Sequence, residues 1–298
     1  MTQDESSWRD WPLAERERQY SPSSCVPSLA PYLEVYAARS RDAERRIHCR
    51  KNLHWGDQPA DTFDYFPAGA ADAPLLVFFH GGYWQELSKN ESLFAAPDFV
   101  ANGIAFAAIE YTLAPRANIA TIVDQSRRAI ASLHRQATKL GFDARRIYVA
   151  GSSAGAHLAA MLLVDGWQRH YGLPGETAAV AGAILLSGIY DLEPLVGTYI
   201  DAALHLTVGD VATLSPARLK LGLSVKTIVA WGENETAEFK RQSRVFAAKL
   251  RAATFPVSEF EAAGANHFDI VFGIADTTTQ LGRATIDLIR NEGKSRRR

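Results

Sequence analysis

Short apolar runs alternate with longer amphipathic stretches along this chain, and the alternation predicts strands and helices in turn. LLVFF at Leu75–Phe79 reads as a buried strand. Ile104–Tyr111, Ile147–Ala150, Ala179–Leu186, Lys226–Trp231 and Pro256–Glu261 read as its companions. Between them Ser88–Asn102, Asn118–Leu140, Ala156–Leu163, Glu238–Ala253 and Ala275–Asn291 suit helices. Pro97 is expected to kink or split the first of these, and Gly141 to stop the second. Upstream, Arg45–Leu53 and Thr62–Pro67 predict an antiparallel pair turning at Gly56–Pro59. Residues 1–40 read as helix and turn, broken at Ser21–Ser24, in an arm too polar to form a domain alone. Ser187–Ser215 has no clean period and reads as an insertion covering the top of the sheet.

Strands that alternate with helices imply an α/β fold, a mostly parallel sheet with helices on both faces. No internal repeat or low-complexity linker interrupts the pattern, so residues 1–298 are expected to form one domain. Its small lid would come from the arm (1–40) and the insertion (187–215). Ligands of such sheets bind outside the carboxyl ends of the strands, and the motifs below all fall there.

Composition narrows the function classes. The net charge of −1 over 298 residues gives no reason to expect nucleic acid or an anionic membrane as partner. With only Cys25 and Cys49, a disulfide framework is not expected, and a reducing, cytoplasmic setting is. The opening MTQDESSWRDWPLAERERQY is charged and lacks an apolar h-region, so no signal peptide is expected. No run approaches the ~18 apolar residues of a membrane span. The tail GKSRRR is expected to be a frayed, solvated end.

The chemistry centres on IYVAGSSAG at Ile147–Gly155, a strand that breaks into G-x-S-x-G before a helix. Small flanking residues let the turn close and lift Ser153 clear of the sheet as a candidate nucleophile. A serine hydroxyl needs a base, and the base needs a carboxylate to fix its tautomer. With such an elbow the chain order is serine, acid, histidine. Of the histidines after Ser153, His157 faces the helix side, His170 ends that helix and His205 sits in the insertion. His267 follows the last strand and is the best base. The acid is expected in Gly232-Glu233-Asn234-Glu235-Thr236, where position alone does not choose between Glu233 and Glu235. Asp191 and Asp201 are alternatives, and Asp269 is too near His267 in sequence.

His80-Gly81-Gly82-Tyr83-Trp84 follows the third strand, where backbone amides can receive an oxyanion. Gly82, Tyr83 and Ala154 are the expected donors, with Gly81 a further candidate. His80 is expected to shape the loop. Gly81 and Trp84 are expected at the substrate, Trp84 and Tyr83 as an aromatic wall. H-E-x-x-H, a P-loop and G-x-G-x-x-G are all missing from the sequence, so neither metal nor cofactor is expected.

These segments resemble the α/β-hydrolases, and within them the arylformamidase (kynurenine formamidase) and small-esterase group. The resemblance is carried by Gln19–Ser23, HGGYWQ at His80–Gln85, GSSAGAHL at Gly151–Leu158, SGIYDLEPL at Ser187–Leu195, EFKRQS at Glu238–Ser243 and NHFD at Asn266–Asp269. It implies an α/β-hydrolase fold and places the acid at Glu235, where the group usually has Asp. The implied enzyme is a cofactor-free serine hydrolase that opens an ester or N-formyl amide of a small aromatic substrate through an acyl-enzyme. N-formylkynurenine and short-chain carboxylesters are the substrates the resemblance favours. No nucleic acid or membrane partner is implied, and a monomer or homodimer is expected. The competing reading is a non-catalytic binding or scaffold protein on a retired hydrolase fold. Its usual signature, a missing triad member or a broken oxyanion loop, is not found in the sequence.

Overall fold

Every core strand presents side chains to two separate apolar layers. A computed structural model describes residues 8–295. Residues 1–7 of the expected arm and leaderless opening, and 296–298 of the basic tail, lie outside the described residues. The strands are β1 (Arg50–His54), β2 (Thr62–Phe66), β3 (Ala73–Phe79), β4 (Ala105–Ile109), β5 (Phe142–Ser152), β6 (Gly182–Leu186), β7 (Lys226–Asn234) and β8 (Val257–Asn266). The helices are α1 (Leu13–Gln19), α2 (Ala30–Arg46), α3 (Ala96–Ala101), α4 (Ile119–Leu140), α5 (Ala154–Met161), α6 (Asp201–Leu204), α7 (Val208–Leu214), α8 (Ala237–Ala252) and α9 (Gln280–Ser295).

The strands form one sheet in the order β1-β2-β4-β3-β5-β6-β7-β8. The β1–β2 and β2–β4 pairs are antiparallel. From β4 to β8 all neighbours are parallel. In β3, Leu75, Val77 and Phe79 face a layer that includes α4, α5 and α8. Leu76 and Phe78 face the opposite layer, with Phe99 of α3 and Ile286 and Ile289 of α9. The period of two along a run with no polar residue therefore calls for cover on both faces. The chain leaves β3 for β4 on one side and then returns to β5 on the other. A crevice opens where the strand order reverses in this way, here between the carboxyl ends of β3 and β5.

Several boundaries differ from the sequence expectation, each for a local reason. Helix α2 runs on through Arg45 and Arg46, so β1 begins only at Arg50. Pro97 lies in the first turn of α3, where its missing N–H costs nothing, and starts that helix instead of kinking it. The rest of Ser88–Asn102 is a short 3-10 turn at Lys89–Glu91 and loop. Strands β5 and β8 extend beyond their apolar stretches, because backbone pairing with β3 and β7 continues into polar residues. Helix α9 starts at Gln280, where Thr279 Oγ1 accepts the Gly282 amide at 2.9 Å. By contrast, α4 ends as expected, with Asn118 capping the Thr121 amide and Gly141 in the left-handed region at φ +84°.

The 187–215 segment is less polar in effect than in composition. Ile189, Tyr190, Leu192, Leu195, Ile200 and Leu204 are all buried. Short turns of helix, α6 and α7 among them, break the period that would have revealed these side chains in the sequence. No helix among the described residues is long and apolar enough to cross a membrane.

Candidate active site

Ser153 sits at the elbow between β5 and α5 with φ +57° and ψ −120°. This is a strained conformation for a residue with a side chain, sustained only by what surrounds it. The two flanking glycines explain why it is possible. A Cβ on Gly155 would lie 2.0 Å from the Phe79 carbonyl oxygen, and one on Gly151 would lie 2.2 Å from Gly155. The missing Cβ atoms let α5 start directly against the end of β3. The Ser153 amide donates to the Leu186 carbonyl at 2.8 Å, which ties the elbow to β6.

The acid and base positions follow from one strand register. Asn234 ends β7, Asn266 ends β8, and the two are paired across the ladder. Glu235 and His267, the next residue on each strand, are thereby set side by side. Gly232 permits the close approach, since a Cβ there would meet the Ala265 carbonyl at 2.6 Å. His267 Nδ1 and Glu235 Oε2 are 3.0 Å apart, with both side chains buried. Glu235 Oε1 accepts from Ser187 Oγ at 2.6 Å and from the Gly232 amide at 2.5 Å. A buried carboxylate is tolerable only when its oxygens are satisfied in this way. Phe239 packs on the His267 ring at 4.4 Å between centroids.

The other candidate acids are engaged elsewhere. Glu233 points outward and accepts the Gly264 amide at 2.7 Å. Asp191 pairs with Arg218, and Asp201 caps the Gly197 and Leu206 amides. Asp269 accepts from Asn266. The remaining histidines are placed away from the serine's open side. His157 is fully buried, bonds the Leu214 carbonyl at 2.7 Å, and has its pKa lowered to about 4 by that burial. His170 lies in a 3-10 turn, Gln168–Tyr171, and not at the end of α5, which already stops at Met161. His205 adopts φ +50° just after α6.

The loop after β3 turns sharply, with Gly82 at φ +91°, Tyr83 at +51° and Trp84 at +60°. Among the described residues, the amides of Gly82 and Tyr83 meet no protein acceptor. A Cβ on Gly82 would strike the Glu86 carbonyl at 2.3 Å, and one on Gly81 would press the Ser153 Cβ at 3.4 Å. His80 braces the loop from behind. Its ring stacks on Tyr111 at 4.1 Å, and the Tyr111 hydroxyl donates to the His80 carbonyl at 2.9 Å.

A cavity of about 270 Å³ opens over these groups, lined by Ser153, His267, Gly81, Gly82 and Tyr83. The arm contributes Pro22, Leu29 and Tyr36 to its wall, and the insertion contributes Tyr199 and Ile200. Phe78, Phe94 and Phe268 complete an aromatic wall. Trp84, expected at the substrate, is instead fully buried beneath the loop and does not face the cavity. Its ring stands edge-on to His157 at 5.0 Å. The reversed φ values turn Tyr83 toward the cavity and Trp84 into the core. Ser187 and Tyr111 were not picked out from the sequence. The one signal for Ser187 was a serine placed directly after an apolar strand.

Fold and elbow together define an α/β-hydrolase, and the comparisons carry this further. Residues 64–197 match the BD-FAE family model. The kynurenine formamidase of Danio rerio is 32% identical over 97% of this chain and 100% of its own length. Esterase LipC of Mycobacterium tuberculosis is 28% identical over 89% of this chain and 66% of its own. A solved structure from Silicibacter sp. superposes with a TM-score of 0.78 at 26% identity, covering 90% of this chain and 97% of the other. The chain belongs to the kynurenine formamidase and esterase group of α/β-hydrolases, and it is a hydrolase of the arylformamidase or carboxylesterase type.

Proposed function

We propose that this hydrolase works through an acyl-enzyme on Ser153 and that its substrate is a small N-formyl arylamine of the N-formylkynurenine kind. One observation carries the reading: His267, paired at 3.0 Å with buried Glu235, lines the same cavity as a serine on a strained elbow. Glu235 holds the Nδ1 proton of His267, which leaves Nε2 free to take the Ser153 proton as Oγ attacks the carbonyl carbon. The amides of Gly82, Tyr83 and Ala154 receive the oxyanion, Gly81 lies against the substrate, and Ala154 donates from the unpaired start of α5. His267 then returns the proton to the departing arylamine. Water, deprotonated by the same ring, releases formate and restores Ser153.

The aromatic wall and the full-length match to a kynurenine formamidase support an aryl leaving group. The wide family spread into esterases supports short-chain aryl esters as second substrates. The chain acts as one domain over 1–298, with the arm and 187–215 as its lid. It works in the cytoplasm as a monomer or homodimer on a small molecule, without cofactor. The free Cys25 and Cys49 thiols suit that compartment.

The test is hydrolysis of N-formylkynurenine and a p-nitrophenyl acetate control by purified protein, beside Ser153→Ala. Turnover of the formamide that the folded mutant lacks is expected. Turnover of the ester alone would move the substrate class. Turnover that survives Ser153→Ala would end the acyl-enzyme reading.

A further inference from the structure

The N-terminal arm does more than roof the cavity, because it bonds to the loops that carry Glu235, His267 and Tyr83. Thr236, next to Glu235, donates its hydroxyl to the Gln19 carbonyl at 2.6 Å. Asn266, next to His267, donates to the Tyr32 hydroxyl at 2.9 Å. The Tyr36 hydroxyl donates to the Phe268 carbonyl at 2.5 Å.

The densest junction is Tyr20, which is fully buried and does not line the cavity. Its hydroxyl donates to Glu238 Oε2 at 2.7 Å and accepts from Gln242 Nε2 at 2.8 Å. Glu238 is held in turn by Arg241, and Gln242 Oε1 accepts the Tyr190 and Asp191 amides. The Tyr20 ring meets Phe239, the residue that packs on His267. On its other side, the Tyr20 carbonyl accepts the Tyr83 phenol. Burial raises the Tyr83 phenol well above its ordinary pKa, so it stays a donor. A tyrosine at φ +51° persists only where its surroundings hold it, and the phenol bond to the arm is one such hold.

We propose that Tyr20 is a positioning residue for the reaction, fixing the Tyr83 amide through its carbonyl and the start of α8 through its hydroxyl. One residue of the arm thus sets the oxyanion donor against the Glu235–His267 pair. This rests on the acyl-enzyme reading above. Because Tyr20 stays outside the cavity, its loss acts on kcat and leaves KM nearly unchanged.

The test uses the full chain with Tyr83→Phe, which removes only the hydroxyl that donates to the Tyr20 carbonyl, and Tyr20→Phe, which removes only the hydroxyl that bonds Glu238 and Gln242. Loss of a whole oxyanion donor typically costs about 10²–10³ in rate, so a displaced one is expected to cost about tenfold. Tyr83→Phe should lower kcat by about tenfold with KM within about twofold, and Tyr20→Phe by a smaller factor. The ester-to-thionoester rate ratio is the readout that a purely structural role does not move. A thiocarbonyl sulfur takes weaker hydrogen bonds, so a displaced donor should reduce that ratio in Tyr83→Phe. An unchanged kcat in folded Tyr83→Phe overturns the proposal, and so does a kcat loss that tracks a fall in Tm with the ratio unchanged. Should Tyr83→Phe fail to fold, Tyr20→Phe decides: a lower kcat at constant KM and Tm supports the proposal, and wild-type kcat overturns it. Ser153→Ala run alongside keeps the two readings apart, since turnover without Ser153 removes the acyl-enzyme and not the role of the arm alone.

Discussion

Glu235 turns one carboxylate oxygen to His267 at 3.0 Å and the other to Ser187 at 2.6 Å. Glu233, two residues earlier, turns outward to the Gly264 amide. The difference arises at the strand end: on a continuous strand residues two apart would share a face, but β7 stops at Asn234, so Glu235 lies where the chain turns away from the strand and Glu233 does not.

This separation predicts an unequal pair of mutants. Glu235→Gln places an amide where His267 Nδ1 needs an acceptor, which favours the wrong tautomer. Comparable losses in serine triads reach about 10⁴ in kcat, so a fall of about 10²–10⁴ is expected on N-formylkynurenine or whichever ester the wild type cleaves. Glu233→Gln should stay within about threefold. A larger loss for Glu233→Gln would move the acid.

Ser187→Ala tests the support behind that acid. A hydrogen bond to a charged group contributes about 1.5–3 kcal/mol, and Ser187 supplies one of the three donors to a buried carboxylate. The variant should lose about tenfold in kcat/KM and become measurably less stable in urea. Wild-type values for both would mean that the Gly232 amide alone suffices.

The glycines of the elbow predict a stability contrast. In Gly155→Ala the new methyl meets the Phe79 carbonyl at 2.0 Å, with backbone on both sides and no flexible side chain to yield. Overpacking of this kind costs about 1–3 kcal/mol or more, so the variant should unfold at clearly lower urea or express as insoluble protein. Gly209 has ordinary φ, lies in α7, and its new methyl would meet only Thr207 Oγ1 at 3.5 Å. Gly209→Ala should be neutral or stabilising by up to about 1 kcal/mol. Equal urea midpoints for the two variants would contradict the packing account.

The parts of this site that the sequence made legible are those set by the backbone. G-x-S-x-G after a strand, His-Gly-Gly after another, and a histidine after the last are one-dimensional signals, because strand ends are where the chain must turn. The α/β alternation was legible for the same reason, since LLVFF has no polar face to expose. What stayed hidden depends on side-chain direction. Trp84 and Tyr83 are adjacent, yet two residues at positive φ send one into the core and the other to the cavity. Glu233 and Glu235 would share a face on a continuous strand, and it is the end of β7 at Asn234, three residues beyond its last apolar one, that parts them. Ser187 and Tyr20 act across 48 and 218 residues of chain, a separation no local pattern reports.

His157 predicts a pH dependence of stability distinct from that of activity. It is fully buried against Trp84, and burial lowers its pKa from 6.5 to about 4. In the folded protein the ring is therefore neutral between those values, while in the unfolded chain it is protonated. The unfolded state binds more protons in that window, so this histidine's contribution is fully present above pH 6.5 and is lost as pH falls toward 4. Between pH 7.5 and 5.0 the loss amounts to about 2 kcal/mol. Other groups titrate over the same range, and comparison with His157→Gln cancels them. The variant should be less stable than the wild type at pH 7.5, since it disturbs a packed bond to Leu214. Its urea-derived stability should then fall by about 2 kcal/mol less between pH 7.5 and 5.0 than that of the wild type. Parallel pH profiles for the two proteins would mean that His157 is not held neutral by its burial.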